Sequence, residues 1–255
     1  MFKLSINNVS FKYVKDCVIK DVSLEFKSND INVIIGLNGS GKTTLIKLMA
    51  GIIKPNMGKV TINDENLFDY SYHERSKMIA YVTQGIGVGE DYLVEDFLSF
   101  GLMNTLKFFE SPSIESKKRI YDAAKKFKID NFLTRKMNEL SGGERQIVSI
   151  CRAYIQDTKI LILDEPTSAL DFKNQHLILN ILKEVASVGK TIIMSSHNPN
   201  HALYLDGNAI LIDNGKIINS GLSIDIITKE NLSPIYGEKI KYSRDLKYNE
   251  ITIGK

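Results

Sequence analysis

Gly36-Leu37-Asn38-Gly39-Ser40-Gly41-Lys42-Thr43-Thr44 gathers three kinds of group suited to phosphate: flexible glycines, a lysine and hydroxyls. Glycines let successive backbone N–H groups turn inward around an anion, and a helix opening at the same point adds the positive end of its dipole. Lys42 can then reach β- and γ-phosphates, and Thr43 can offer its hydroxyl to Mg²⁺, which is the mechanism behind the phosphate-loop pattern. Ile160-Leu161-Ile162-Leu163-Asp164-Glu165 supplies the complement. Four apolar residues bury a strand, and two carboxylates emerge at its carboxyl end, where ligands bind in open α/β sheets. Asp164 suits Mg²⁺ held through water, and Glu165 suits polarisation of an attacking water. Neighbours along a strand face opposite ways, so the two are expected to divide these roles.

A third run, Leu140-Ser141-Gly142-Gly143-Glu144-Arg145-Gln146, opens another helix. Ser141 with Glu144 three residues on is a capping box. The box does not explain two glycines in the first turn, which cost helix stability and are expected to permit close backbone approach. A serine hydroxyl beside bare N–H groups at a helix start is a second anion site.

The elements that must position these runs follow from periodicity. Lys3-Leu4-Ser5-Ile6 and Val22-Ser23-Leu24-Glu25-Phe26 alternate as half-buried antiparallel strands. Ser28-Asn29-Asp30 breaks the pattern before a buried strand at 31–35, the glycine loop and a helix from about 42 to 50. Short strands are expected near 60–62 and 79–82. Residues 91–138 read as a Lys- and Phe-rich helical insert with a break at Ser111-Pro112-Ser113. Then come a helix from 142 to about 154, a strand at 160–163, a helix at 173–188 and a strand at 191–194. Ile147, Ile150, Cys151, Tyr154 and Ile155 form one helical stripe, which makes Cys151 a core residue. Asn214-Gly215 between two apolar runs predicts a hairpin. Strands alternating with helices predict an α/β fold, a mostly parallel sheet covered on both faces.

Composition bounds the function. A net charge of +3 with 25% charged and 43% hydrophobic residues fits a globular domain and excludes a disordered chain. It gives no argument for nucleic acid. No apolar run approaches the roughly 18 residues that cross a bilayer. The opening residues lack a signal-peptide core, and Cys17 and Cys151 cannot form a disulfide framework. A cytosolic protein is expected.

Taken together, the three runs resemble those of the ATP-binding cassette (ABC) ATPases, from the first strands to beyond His197. The resemblance implies a P-loop NTPase fold of one domain over 1–237, with an N-terminal antiparallel β-subdomain and the helical subdomain inserted at about 91–138. Residues 238–255 would form a C-terminal tail. It implies ATP and Mg²⁺ as ligands, and a homodimer in which Ser141, Gly142 and Gly143 of one copy close over ATP in the other. Gly36, Asn38, Gly39, Ser40, Gly41, Lys42, Thr43 and Thr44 would hold the phosphates, and Thr43, Gln84 and Asp164 the metal. Tyr13 matches the aromatic residue that stacks on adenine, with Phe11 as rival. Gln84 matches the glutamine linking metal and water to the helical subdomain. Ser168-Ala169-Leu170-Asp171 matches the loop that crosses the dimer interface. Glu165 would act as base, and His197 matches the histidine that contacts the γ-phosphate. His201 lacks companions for a zinc site, and His73 and His176 are expected at the surface.

By the same resemblance the load is an integral membrane permease, served indirectly by a substrate-binding protein, with the chain peripheral on the inner membrane face. Tyr92, Leu93, Val94, Phe97, Leu98, Phe100 and Leu102 offer a docking surface beside Gln84, although their spacing also suits ordinary core. Three segments resemble importers of iron chelates, haem or cobalamin: Val94-Glu95-Asp96-Phe97 with Gly101, Asp171-Phe172-Lys173-Asn174-Gln175, and Asn231-Leu232-Ser233-Pro234-Ile235-Tyr236-Gly237. Leu102 departs from the arginine expected there, and the stretch at 85–89 is unusually glycine-rich, which nothing beyond flexibility explains. An exporter ATPase and a soluble iron–sulfur assembly ATPase remain as alternatives.

Overall fold

The computed structural model describes residues 2–85, 91–104, 113–237, 240–245 and 248–253. Strands β1 (Lys3–Tyr13), β2 (Asp16–Lys27) and β3 (Ile31–Ile35) lead into helix α1 (Lys42–Met49). Next are β4 (Met57–Ile62), β5 (Glu65–Asn66), α2 (Tyr72–Met78) and β6 (Ile79–Val82). The middle holds α3 (Val94–Ser99), α4 (Ile114–Lys126), α5 (Gly142–Ile155), β7 (Ile160–Leu163), α6 (Phe172–Ser187) and β8 (Thr191–Ser196). The chain continues through α7 (Asn200–Leu205), β9 (Asn208–Asp213), β10 (Lys216–Leu222), α8 (Ser223–Ile226) and α9 (Lys229–Tyr236) to a hairpin, β11 (Ile240–Asp245) and β12 (Tyr248–Ile253).

A six-stranded sheet in the order β10-β9-β3-β8-β7-β6 forms the centre, and every pairing in it is parallel except the β9–β10 hairpin. Period-two alternation sends its side chains into two cores. Val33, Ile35, Leu161, Leu163, Ile192 and Met194 face the side covered by α3 to α6. Ile34, Ile160, Ile162 and Ile193 face α1 and the second sheet. These strands are apolar throughout because both faces are covered. The second sheet, β2-β1-β4-β5, is antiparallel. After α1 the chain therefore returns to the N-terminal strands, a step that local periodicity does not reveal.

The predicted strand at 160–163 and the helices opening at 42 and 142 appear with those starts. Cys151 is fully buried, and burial raises its thiol pKa, so it is inert core. The insert is less regular than expected: α3 and α4 are joined to α5 through short 3₁₀ turns at Phe100–Leu102, Asp130–Phe132 and Met137–Glu139. Ser113 caps α4 by accepting from the Ser116 N–H. The preceding residues 111–112 of the expected break, 86–89 of the glycine-rich stretch, and part of the tail lie outside the described residues.

The expected docking surface needs correction. Val94, Phe97, Leu98 and Leu102 are buried in the helical-side core, and only Tyr92 and Phe100 are exposed, touching edge-to-face. Leu102, where arginine was expected, is thus a packing residue. Gly101 is fixed by the same packing, since a Cβ there would lie 2.5 Å from the Arg152 carbonyl oxygen of α5. His73 is exposed, but His176 is half-buried between the rings of Phe172 and Tyr204, not a free surface residue.

Candidate functional site

The loop between β3 and α1 is shaped by contacts that only glycine allows. A Cβ on Gly36 would lie 2.3 Å from the Ile212 carbonyl oxygen and 2.6 Å from Ser40 Oγ. Gly39 (φ +80°) and Gly41 (φ +107°) are left-handed. The predicted Asn214-Gly215 turn braces this loop from β9–β10: the Gly215 N–H donates to the Ser40 carbonyl at 2.9 Å, and the Lys20 N–H donates to the Gly215 carbonyl at 2.9 Å. Lys42, only 5% exposed, donates through Nζ to the Gly36 and Leu37 carbonyls (2.9 and 3.0 Å) and lies 3.3 Å from Glu165 Oε1.

The two carboxylates at the end of β7 take separate partners. Asp164 Oδ1 accepts from Thr43 Oγ1 (3.1 Å) and Ser195 Oγ (2.7 Å). Ser195 Oγ in turn accepts the Glu165 N–H at 2.8 Å, tying β8 to both residues. Glu165 has φ +44°, so strand alternation has ended and successive residues of α1 reach both carboxylates. Opposite-face geometry therefore does not separate them; their hydrogen-bond partners do. Glu165 Oε2 lies 3.4 Å from Gln84 Nε2 and 3.4 Å from His197 Nδ1. Residues from the ends of β3, β6, β7 and β8 thus converge at the carboxyl edge of the sheet.

They enclose a cavity of about 870 Å³ lined by Asn38, Gly39, Gly41, Lys42, Thr43, Thr44, Gln84, Glu165 and His197, together with Val18, Leu37 and Tyr236. Gly36 and Ser40 lie in the loop behind. Tyr13 and Asp171 are not among the lining residues. Tyr13 is half-exposed at the end of β1, 4.8 Å edge-on from Phe11. Asp171 caps α6, its Oδ1 accepting the Asn174 N–H at 2.8 Å.

Ser141, Gly142 and Gly143 sit apart from this cavity, at the start of α5. Ser141 forms the expected capping box: its N–H donates to Glu144 Oε2 at 2.7 Å and its Oγ accepts the Glu144 N–H at 3.3 Å. The Ser141 N–H bond to its carboxylate holds the Glu144 pKa below the usual range. Capping uses an oxygen lone pair of Ser141, so its O–H proton can still be given to an anion. The glycines differ. A Cβ on Gly143 would lie 3.0 Å from the Ala169 carbonyl oxygen of its own chain, whereas one on Gly142 would meet nothing within 4 Å among the described residues. Gly142 lines a second cavity of about 380 Å³ with Gln84, Gly85, Arg145, Gln146, Ser168 and Ala169.

The residues present fit a nucleoside triphosphate with Mg²⁺. The Ser40 hydroxyl is buried with no hydrogen-bond partner among the described residues, inside a loop whose glycines leave its backbone bare. Thr43 and Asp164 bring two oxygen donors within 3.1 Å of each other, the hard ligand type that Mg²⁺ takes.

Sequence reasoning passed over Ser195, Val18, Tyr236 and the structural role of His201. Two serines closing an otherwise apolar strand were the available signal for Ser195. His201 is buried, its Nδ1 2.9 Å from Ser196 Oγ and its Nε2 3.4 Å from Asn198 Nδ2. Burial, then the nearby His197 and His176, lower its pKa from 6.5 to about 4. As pH falls the unfolded chain therefore takes the proton first, and stability is lost from pH 6.5 downward toward 4. At pH 5 the loss is about 2 kcal/mol, or roughly 4–8 °C in Tm for a chain of this size. Thermal melts of wild type and His201→Asn between pH 7 and 5 check this; the variant's profile should be flatter by that amount.

A glycine loop opening a helix from the central sheet, with a buried lysine and an acidic pair on the neighbouring strand, defines the P-loop nucleotide-triphosphate-binding class. Within it, the chain belongs to the ABC transporter family: residues 19–168 match the family model described as ABC transporter. It is 34% identical over 233 residues to a Haemophilus influenzae protein named as an uncharacterized ABC transporter ATP-binding protein, covering 91% of this chain and 89% of that one. It is 31% identical over 235 residues to a Helicobacter pylori protein named as a "probable iron chelatin transport ATP-binding protein", covering 91% and 92%. A solved metal-chelate type ABC transporter in an inward-facing conformation superposes with a TM-score of 0.82 at 26% identity over 98% of this chain and 96% of that one. A dimeric ATP-binding cassette in a post-hydrolysis state with ADP and phosphate superposes with a TM-score of 0.79 at 26% identity, over 86% and 98%. The chain is thus an ATP-hydrolysing ABC transporter subunit with the cassette fold, a type that dimerises and works on membrane permease partners.

Proposed function

We propose that Glu165 is the general base of ATP hydrolysis, in a site completed only when a second copy supplies Ser141 and Gly142. The observation that carries this reading is the convergence of Lys42, Gln84 and His197 on one Glu165 carboxylate inside the loop-lined cavity. The loop amides of Gly39, Gly41 and Lys42 bind phosphate oxygens, and Lys42 neutralises the β- and γ-phosphates. Thr43, Asp164 and Gln84 would hold Mg²⁺, which would supply charge neutralisation on the phosphates. Glu165 takes the proton of the attacking water, and His197 steadies the γ-phosphate. Tyr13, at the end of β1, is assigned to stack on the base of the nucleotide. Asp171, which caps α6, ends the loop that would cross to the partner.

In this reading the chain is a transport-coupled ATPase on the inner face of the membrane. Tyr92 and Phe100, both exposed, suit the apolar contact of a permease helix. Among the described residues no helix is long and apolar enough to cross a membrane. The cargo proposed is an iron chelate, haem or cobalamin, delivered by a substrate-binding protein. Support comes from the three segments that resemble those importers and from relatives named for iron chelatin and metal-chelate transport. A Listeria monocytogenes relative named for manganese transport is 32% identical, so overall identity does not select the cargo. The test is affinity capture of the chain from detergent-solubilised membranes, reconstitution of the complex in liposomes, and ATP-driven uptake. Ferric siderophore, haem or cobalamin should accumulate and manganese should not. Manganese uptake alone would overturn the cargo assignment.

A further inference from the structure

Tyr236 belongs to none of the groups used so far, yet its ring lines the same cavity as Lys42, Gln84, Glu165 and His197. Its phenol O–H donates to the backbone carbonyl of His197 at 3.2 Å. The ring is seated by its helix. Leu232 and Ile235 bury α9 in the helical-side core, against which Tyr236 also packs. Thr228 caps α9 by accepting the Asn231 N–H, and the Asn231 side chain donates to the Ile226 carbonyl at 3.0 Å. Gly237, left-handed at φ +89°, ends the helix directly after the tyrosine.

His197 needs such support. Its side chain is 55% exposed, and among the described residues it is held only by the 3.4 Å approach to Glu165. The aim of the imidazole is therefore set by its backbone. On the amino side that backbone is fixed: Ser196 ends β8, its Oγ accepts the Asn198 N–H at 3.0 Å, and it meets His201 Nδ1 at 2.9 Å. On the carboxyl side the carbonyl is held by Tyr236. Burial, and after it the charge of Glu165, raise the phenol pKa, so Tyr236 remains a proton donor across the neutral range.

We propose that Tyr236 is a positioning residue for ATP hydrolysis, pinning the His197 carbonyl so that the imidazole is held against the γ-phosphate end of the cavity. The C-terminal helix thereby becomes part of the ATPase machinery. The proposal rests on the role given above to His197.

Tyr236→Phe keeps the ring and its packing and deletes only the donor. Its kcat is expected to fall about 3- to 10-fold, the worth of one hydrogen bond, with KM for ATP unchanged and Tm lowered by no more than about 2–4 °C. A purely structural role would lower Tm and leave kcat at the wild-type value. In a His197→Ala background the same substitution should cause no further loss, because the two act as one unit. A wild-type kcat in Tyr236→Phe beside an impaired His197→Ala sinks the proposal and leaves the site reading intact. An equal fold-loss in the His197→Ala background also overturns it, since Tyr236 would then act by another route. Wild-type turnover in His197→Ala removes both the proposal and the reading beneath it.

Discussion

Glu165→Gln should bind ATP, hydrolyse it about 10²–10⁴-fold more slowly than wild type, and accumulate as an ATP-dependent dimer. The substitution keeps the shape of the side chain and removes only its charge and basicity. The backbone that presents it does not depend on the carboxylate: the Glu165 N–H is held by Ser195 Oγ, and the strand pairing of β7 is untouched. Lys42 loses its ion-pair partner at 3.3 Å but keeps the Gly36 and Leu37 carbonyls. A buried ammonium deprived of its counter-charge is costly, so the variant favours the bound phosphate more than wild type does. Binding is thus retained while water loses its proton acceptor, and the nucleotide that joins two copies is not consumed. Phosphate release and gel filtration in ATP with Mg²⁺ are the measurements. A variant that turns over at the wild-type rate would remove Glu165 as the base.

The parts of this site that sequence made legible are those written in local spacing. Gly36 to Thr44 fold as a loop and helix start because nearly every requirement lies within nine residues: left-handed turns at Gly39 and Gly41, and a lysine at the first helical turn. The Ser141–Glu144 box is local in the same way. What escaped depends on pairs distant in the chain. The brace from Gly215 to Ser40 joins a hairpin to a loop, and only the turn itself was visible. Ser195 couples Asp164 to Glu165 across strands, which no periodicity encodes. The apolar residues within 92–102 were ambiguous for a physical reason: a short helix on a small subdomain and a docking face use the same spacing. Packing of α3 against α5 resolved it, burying four of the seven residues and leaving Tyr92 and Phe100 exposed. The division of labour between Asp164 and Glu165 was expected from strand alternation, but a left-handed backbone at Glu165 cancels that argument.

Gly142→Asp should leave the single protomer folded and able to bind ATP, yet lower turnover by at least about 10², the cost of losing a donor that meets developing charge. The two glycines at the start of α5 make this a discriminating choice. Gly143→Ala would place a methyl 3.0 Å from the Ala169 carbonyl oxygen, so a defect there mixes local strain with function. At Gly142 a Cβ meets nothing within 4 Å among the described residues. An aspartate in the first turn of a helix is favoured by the dipole, and it replaces the most flexible residue, so Tm should hold or rise. The same carboxylate, set beside the Ser141 hydroxyl, would repel the γ-phosphate of a nucleotide carried by a second copy. A stable, ATP-binding, inactive variant that has also lost the ATP-dependent dimer points to the loss of a contact made in trans. The decisive measurement uses the Glu165→Gln background, where the dimer is expected to persist in ATP. Adding Gly142→Asp should abolish that dimer while ATP binding by the protomer remains. A double variant that still dimerises would mean that the start of α5 does not face the partner's nucleotide, and the two glycines would need another explanation.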